Sequence, residues 1–225
     1  MTSPATAAAA DPAAPPRARK AFRSPLAVTL FLGALGIGLA GDLLSKHYVF
    51  EELLSDPVAR REALGTYLAG KAQDHAVETR DVLGFFKTRR VVGVCFRLQT
   101  NKGVVFGTEL SSSQDVHRLI VACVSVLLVG MVGVFFATSE ASAWTAHLAL
   151  GAVLAGALGN LYDRLWGVVE IAPLAPARCQ VRDFIDGSAL GYPWVFNVAD
   201  ILLVVGVGVL MLHWMLASRK AKRQG

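Results

Sequence analysis

Four stretches of the chain are nearly free of charge, and everything between them is mixed. Ser24 to Gly41 carries no charge and ends at Asp42. Leu119 to Ala137 is apolar or small except for Ser125. Ala141 to Tyr162 is uncharged and holds His147. Val195 to Ala217 holds Asp200 near its start and His213 near its end. About 20 apolar residues span a hydrocarbon core about 30 Å thick as a helix. Backbone groups in lipid must be satisfied within the segment, so each stretch predicts a helix. Four buried helices of a soluble bundle would instead show polar faces.

The pattern predicts an all-α membrane protein with four transmembrane helices, at about 24–48, 116–138, 141–164 and 195–217. A small β-containing extracytoplasmic subdomain completes the expected fold. Residues 1–23 read as a disordered cytoplasmic tail, since Pro4 to Pro16 is rich in Ala and Pro. Residues 24–217 form the core, with an outer insert at 49–115 and a loop at 165–194; 218–225 is a basic cytoplasmic tail. Within the insert, Asp56–Leu64 and Tyr67–Thr79 suit short amphipathic helices. Val91–Gln99 is rich in β-branched and aromatic residues and suits a strand, with a second at Val104–Phe106.

Composition narrows the class. Hydrophobic residues make up 54% and charged residues 17%, against about a quarter charged in soluble domains. Disorder, a coiled coil and a basic nucleic-acid module are excluded. The net charge of +5 comes largely from the chain ends. Arg17, Arg19, Lys20 and Arg23 precede the first span, and Arg219, Lys220, Lys222 and Arg223 follow the fourth. By the positive-inside rule both termini are cytoplasmic. Three cysteines without paired spacing fit neither a disulfide scaffold nor a zinc site. Cys123 reads as a core residue, while Cys95 and Cys179 share the outer side and can pair there.

That topology gathers the polar residues at one face. Asp42 and Lys46 end the first span, and Asn160, Asp163 and Arg164 end the third. Asn197 and Asp200 open the fourth, Asn101 precedes the second, and Asp183 and Asp186 precede the fourth. Ionisable residues in a membrane are costly and usually functional. Asp42 and Lys46 also suit a simple i,i+4 surface pair, and Arg164 suits a snorkelling headgroup contact. His147 and His213 lack carboxylate or thiol neighbours at ligand spacing and read as packing residues. Asp200 is the least ordinary, a carboxylate one turn inside the span. The Gly- and Pro-containing loop before it can bring Asp183 or Asp186 to it. Two carboxylates in contact share a proton, which suits water activation with protonation of the carbonyl or leaving amine.

The motifs G-D-L-L-S-K (Gly41–Lys46), T-N-K-G-V-V-F-G (Thr100–Gly107), G-A-L-G-N-L-Y-D-R (Gly156–Arg164), V-R-D-F-I-D and F-N-V-A-D occur in that order. Together the chain resembles the lipoprotein signal peptidases, or signal peptidase II. The resemblance implies an aspartyl endopeptidase of the bacterial inner membrane, with its site at the outer face. It would cut diacylglyceryl-modified prolipoproteins just before the lipidated cysteine, within membrane lipid, with no cofactor, metal or nucleic acid. Carried over by motif, Asp183 and Asp200 are the catalytic pair, with Asp163 the rival for the first place. Asn101, Gly103, Asn160, Arg164 and Asn197 hold substrate backbone and orient the pair; Asp42 and Lys46 support it.

The chain departs from the family pattern in a longer insert at 49–115, an added stretch at Leu165–Gln180, Pro193 one place early, and the Ala- and Pro-rich tail. Other readings are a specialised or inhibitor-resistant paralogue and a small proton-coupled transporter. The Gly-x-Gly-Asp intramembrane proteases differ, because G-L-A-G-D at Gly38–Asp42 has the wrong spacing.

Overall fold

The computed structural model describes residues 19–70, 79–86, 90–91, 93–102, 114–172 and 174–224. Four of its helices are long and apolar enough to cross a membrane: α1 (Pro25–Ser55), α4 (Gln114–Thr138), α5 (Trp144–Trp166) and α6 (Val198–Gln224). Two short helices, α2 (Pro57–Gly70) and α3 (Thr79–Leu83), follow α1. The strands are β1 (Arg90–Val91), β2 (Val94–Asn101), β3 (Val168–Val169), β4 (Ala177–Arg178), β5 (Val181–Asp186) and β6 (Val195–Phe196).

α1 starts where Ser24 caps it, its hydroxyl accepting from the Ala27 N–H, with Pro25 at the first helical position. The helix runs past position 48 to Ser55 because Val49, Phe50 and Leu53 find a core to enter. α5 is the centre of the bundle and the most buried of the four, packed against α1, α4 and α6. Small residues make that possible. A Cβ at Gly151 would lie 2.5 Å from the Phe31 carbonyl oxygen, and one at Gly156 would lie 2.9 Å from Leu203 Cγ. Close backbone approach of this kind is how helices associate in lipid, where burial supplies no net drive. The outward faces of α1, α4 and α6 stay apolar, as Ile37, Leu127 and Met211 show. Cys123 lies on such a face of α4, so it is exposed rather than a core residue.

One apolar core binds the helices near the chain termini, around Phe31, Phe136, Leu150 and Leu154. His147 is buried there, 3.1 Å from the Ser139 hydroxyl and edge-on to Phe136, while His213 meets Thr145 at 2.9 Å. At the other end, β1-β2-β5-β6 form an antiparallel sheet. β2 pairs with β5 from Cys95 opposite Asp186 to Asn101 opposite Val181, with a bulge between Phe96 and Gln99. A second core, around Phe50, Leu83, Phe86, Leu98, Ile171 and Phe184, joins the sheet to α1, α2 and α3.

The 49–115 insert and the 165–180 stretch meet in this core. Thr79 donates its backbone N–H to the Ala175 carbonyl at 2.9 Å, and its hydroxyl accepts from the Ile171 N–H at 3.3 Å. Arg60 on α2 donates to the Ala172 carbonyl at 2.5 Å. Positions 57–70 form a single helix where two short ones were expected to divide at about 65; most of the second, and the strand expected at Val104–Phe106, lie outside the described residues.

Cys95 and Cys179 are free thiols. Cys95 sits opposite Asp186 at one end of β5, while Cys179 precedes the other end of that strand. A run of six strand residues covers about 20 Å, so the pairing that the sequence left open does not form.

Candidate active site

Three helices and one strand converge where the sheet meets the bundle. α1 brings Asp42 and Lys46 one turn apart, both fully buried. Lys46 Nζ donates to Asp42 Oδ2 at 2.7 Å and to Asn160 Oδ1 at 3.0 Å, and it lies 3.1 Å from Asp163 Oδ2. A buried ammonium needs such company, since its desolvation is repaid only by several good contacts. The surface-pair reading of Asp42 and Lys46 is therefore set aside: this ion pair is interior.

Asp42 also reaches α6. Its Oδ1 accepts the Ala199 N–H at 2.8 Å, one of the donors that the first turn leaves without an intrahelical partner. Asn197 and Asp200 satisfy two more by a reciprocal capping box. The Asp200 N–H donates to Asn197 Oδ1 at 3.0 Å, and the Asn197 N–H donates to Asp200 Oδ2 at 3.1 Å. The carboxyl group of Asp200 is thus held at the start of α6.

β5 supplies Asp183, buried beside α6. Asn197 Nδ2 donates to Asp183 Oδ1 at 2.6 Å and to Asn160 Oδ1 at 3.1 Å, while Asn160 Nδ2 donates to Asp200 Oδ1 at 2.9 Å. A chain of two side-chain amides therefore links the two carboxyl groups. Asn101 on β2 adds a side-chain hydrogen bond to Asp183. Burial pushes the Asp183 carboxyl up to about 7, and the nearby Asp200 charge adds to the rise. The Asn197 hydrogen bond, the Lys46 charge and the Asn101 hydrogen bond oppose it.

Asp183 and Asp200 line one cavity of about 690 Å³. Asn101, Asn160 and Arg164 line it too, and Arg164 also donates to the Asn160 carbonyl at 3.3 Å. Val121, Val124 and Leu128 of α4 and Leu203 and Val204 of α6 form an apolar wall that descends between the helices. Arg80 and Lys102 stand in the polar part, Arg80 carried there by α3. Gly103 lies outside the described residues.

Asp163 and Asp186 are placed elsewhere. Asp163 is fully buried between Lys46 and Arg182 and is not among the cavity-lining residues. Asp186 turns to the opposite side of β5 from Asp183, where its Oδ1 accepts the Ser188 N–H at 2.9 Å. That hydrogen bond holds its carboxyl below the usual range. Sequence reasoning passed over Arg182. Its guanidinium donates to Asp163 Oδ1 from Nε at 2.9 Å and from its terminal nitrogen at 2.7 Å.

The chain is 41% identical over 80 residues to a lipoprotein signal peptidase of Desulfitobacterium hafniense, covering 36% of this chain and 44% of that protein. It thus spans less than half the length of that relative. It is 31% identical over 156 residues to a lipoprotein signal peptidase of an Anaeromyxobacter species, covering 68% of each. A solved bacterial membrane enzyme, determined by the in meso method at 2.3 Å, superposes with a TM-score of 0.53 at 19% identity. The superposition covers 89% of this chain and 93% of that one and shows a shared fold. The family described as signal peptidase (SPase) II matches residues 35–216, and the chain belongs to that family.

Proposed function

We propose that this protein is a membrane aspartic endopeptidase that removes signal peptides from diacylglyceryl-modified prolipoproteins. It cuts just before the lipidated cysteine. The observation that carries the reading is the pair Asp183 and Asp200, linked through Asn160 and Asn197 and lining one cavity with an apolar wall.

The chemistry follows from that pair. With the Asp183 carboxyl pushed up to about 7 beside Asp200, the pair is suited to hold a single proton near neutral pH. The ionised group takes a proton from water, and the water oxygen attacks the scissile carbonyl carbon. The protonated group donates to the carbonyl oxygen, and a proton returns to the leaving amine as the carbon–nitrogen bond breaks. Asn101 and Arg164 in the cavity lining suit the extended substrate backbone. The apolar wall between α4 and α6 suits the diacylglyceryl chains, which enter sideways from lipid.

The basic flanks support a multi-pass protein of the bacterial inner membrane with both termini in the cytoplasm. The sheet and α2–α3 then lie at the outer surface, where water reaches the carboxyl pair. The test is cleavage of a diacylglyceryl-modified precursor by the purified protein, followed by gel shift. Asp183→Asn and Asp200→Asn abolish cleavage while each protein inserts normally. Because the two groups act as a unit, the double variant is little worse than either single one. A normal rate in either single variant removes the dyad.

A further inference from the structure

We infer that Arg182 is a positioning residue for this cleavage, acting through Asp163 to hold Asp183 in place; the inference rests on the function proposed above. Side chains alternate along a strand. Val181 and Asp183 line the cavity, and Arg182 between them does not. Arg182 therefore does not touch substrate. Instead it is gripped by the carboxylate of Asp163, at both side chain and backbone.

Asp163 Oδ1 accepts both guanidinium hydrogen bonds, and Asp163 Oδ2 accepts the Arg182 backbone N–H at 3.1 Å. The Arg182 carbonyl in turn accepts from Asn197 Nδ2 at 3.4 Å, the same nitrogen that donates to Asp183. The residue next to Asp183 is thus fixed from the α5 side and from the α6 side.

The electrostatics explain why an arginine is needed. Asp163 stands in the last turn of α5, where the helix dipole disfavours a negative charge. It is fully buried, so its charge requires cations. Lys46 is one, but Lys46 also serves Asp42. One ammonium cannot neutralise two carboxylates. Arg182 supplies the second positive charge and two directed donors. Without it, Asp163 turns fully toward Lys46, its grip on the strand loosens, and Asp183 moves relative to Asp200.

The test compares Arg182→Gln, Arg182→Lys, Asp163→Asn and the double variant Asp163→Asn/Arg182→Gln, with wild type and Asp183→Asn alongside. Each is purified whole and assayed for kcat and KM on a diacylglyceryl-modified precursor. Arg182→Gln lowers kcat by about 10- to 100-fold, the size of effect expected for a small displacement of a reacting group. KM stays within about twofold, because no substrate contact is lost. Arg182→Lys keeps the charge with fewer directed donors and falls between Arg182→Gln and wild type. The double variant is no slower than the slower single one.

A wild-type kcat in Arg182→Gln overturns the inference, and so does a rise in KM alone or an additive double variant. If Arg182→Gln does not fold, Arg182→Lys decides: a kcat below wild type at unchanged KM upholds the inference, and a wild-type kcat overturns it. An inactive wild type, or an active Asp183→Asn, would instead sink the proposed function.

Discussion

The side chains of Asn197 and Asn160 share a hydrogen bond at 3.1 Å, and each holds a different carboxylate: Asn197 holds Asp183 and Asn160 holds Asp200. Asn197 has a second duty, since its side-chain oxygen caps α6. The two duties use different atoms and can be separated. Serine keeps an oxygen for the Asp200 N–H and loses the amide donor. Asn197→Ser therefore melts near the wild-type temperature, while Asn197→Ala loses about 1 kcal/mol with the cap. Both variants lose activity. Without the donor, the Asp183 carboxyl moves further above 7, so the limb of the kcat/KM profile that reports it shifts to higher pH. An unshifted limb in Asn197→Ser would show that the bridge does not act on Asp183.

Asp183 also makes the stability of the fold depend on pH. Its carboxyl titrates about 7 in the native chain, against an ordinary value of 3.8. Between those values the native state keeps a proton that the unfolded state has released. Stability from this group is therefore full below about pH 4 and is lost as pH rises through about 7. Asp183→Asn cannot ionise and avoids the loss. It matches wild type in thermal unfolding at acid pH and exceeds it at pH 8, with a ceiling of about 4 kcal/mol. A variant less stable than wild type at pH 8 would mean that the native fold stabilises the ionised Asp183 carboxylate instead of penalising it.

Lys46 gives the opposite result. It has three buried acceptors, and replacing it strands the Asp42 carboxylate and leaves Asp163 with Arg182 alone. Lys46→Met costs about 3–5 kcal/mol despite its similar size. Adding Asp42→Asn removes one stranded charge and recovers part of that loss. Thermal unfolding of the two single variants and the double variant measures the coupling, and strict additivity would deny the ion pair any energetic role.

How far the sequence reached follows from the range of each interaction. The four long helices depend on local apolar length, and their positions were readable to within a turn or so at most ends. The end of α1 was not, because Val49, Phe50 and Leu53 gain their burial from α2, α3 and the sheet. The strands β3 and β4 have two residues each, too few to show alternation. The motif residues were readable as a set, and Asn101, Asn160, Arg164, Asp183 and Asp200 from that set line one cavity. Arg182 was not readable, because its partner Asp163 lies 19 residues earlier on another element. The joining of α3 to the 165–180 stretch through Thr79 and Ala175 was hidden for the same reason. Both depend on tertiary proximity, which no local pattern records.

Gly159 joins packing to chemistry in a single atom. It faces Asp42 across the α1–α5 contact. A Cβ there would lie 3.0 Å from Asp42 Cγ and closer still to Asp42 Oδ2. The carboxyl group has little freedom to retreat, since Lys46 holds one oxygen and the Ala199 N–H holds the other. The clash must be relieved by parting α1 from α5 or by breaking one of those bonds. Gly159→Ala therefore destabilises the protein by about 1–3 kcal/mol, as overpacking does, although alanine is the better helix former. The start of α6 shifts with Asp42, so cleavage falls as well. Gly41→Ala is the control: it lies on the same helix as Asp42, one residue earlier, and a Cβ there meets nothing within 4 Å. Its unfolding temperature and rate stay at or above wild type. Equal losses in the two variants would mean that the contact with Asp42 is not what requires glycine at 159.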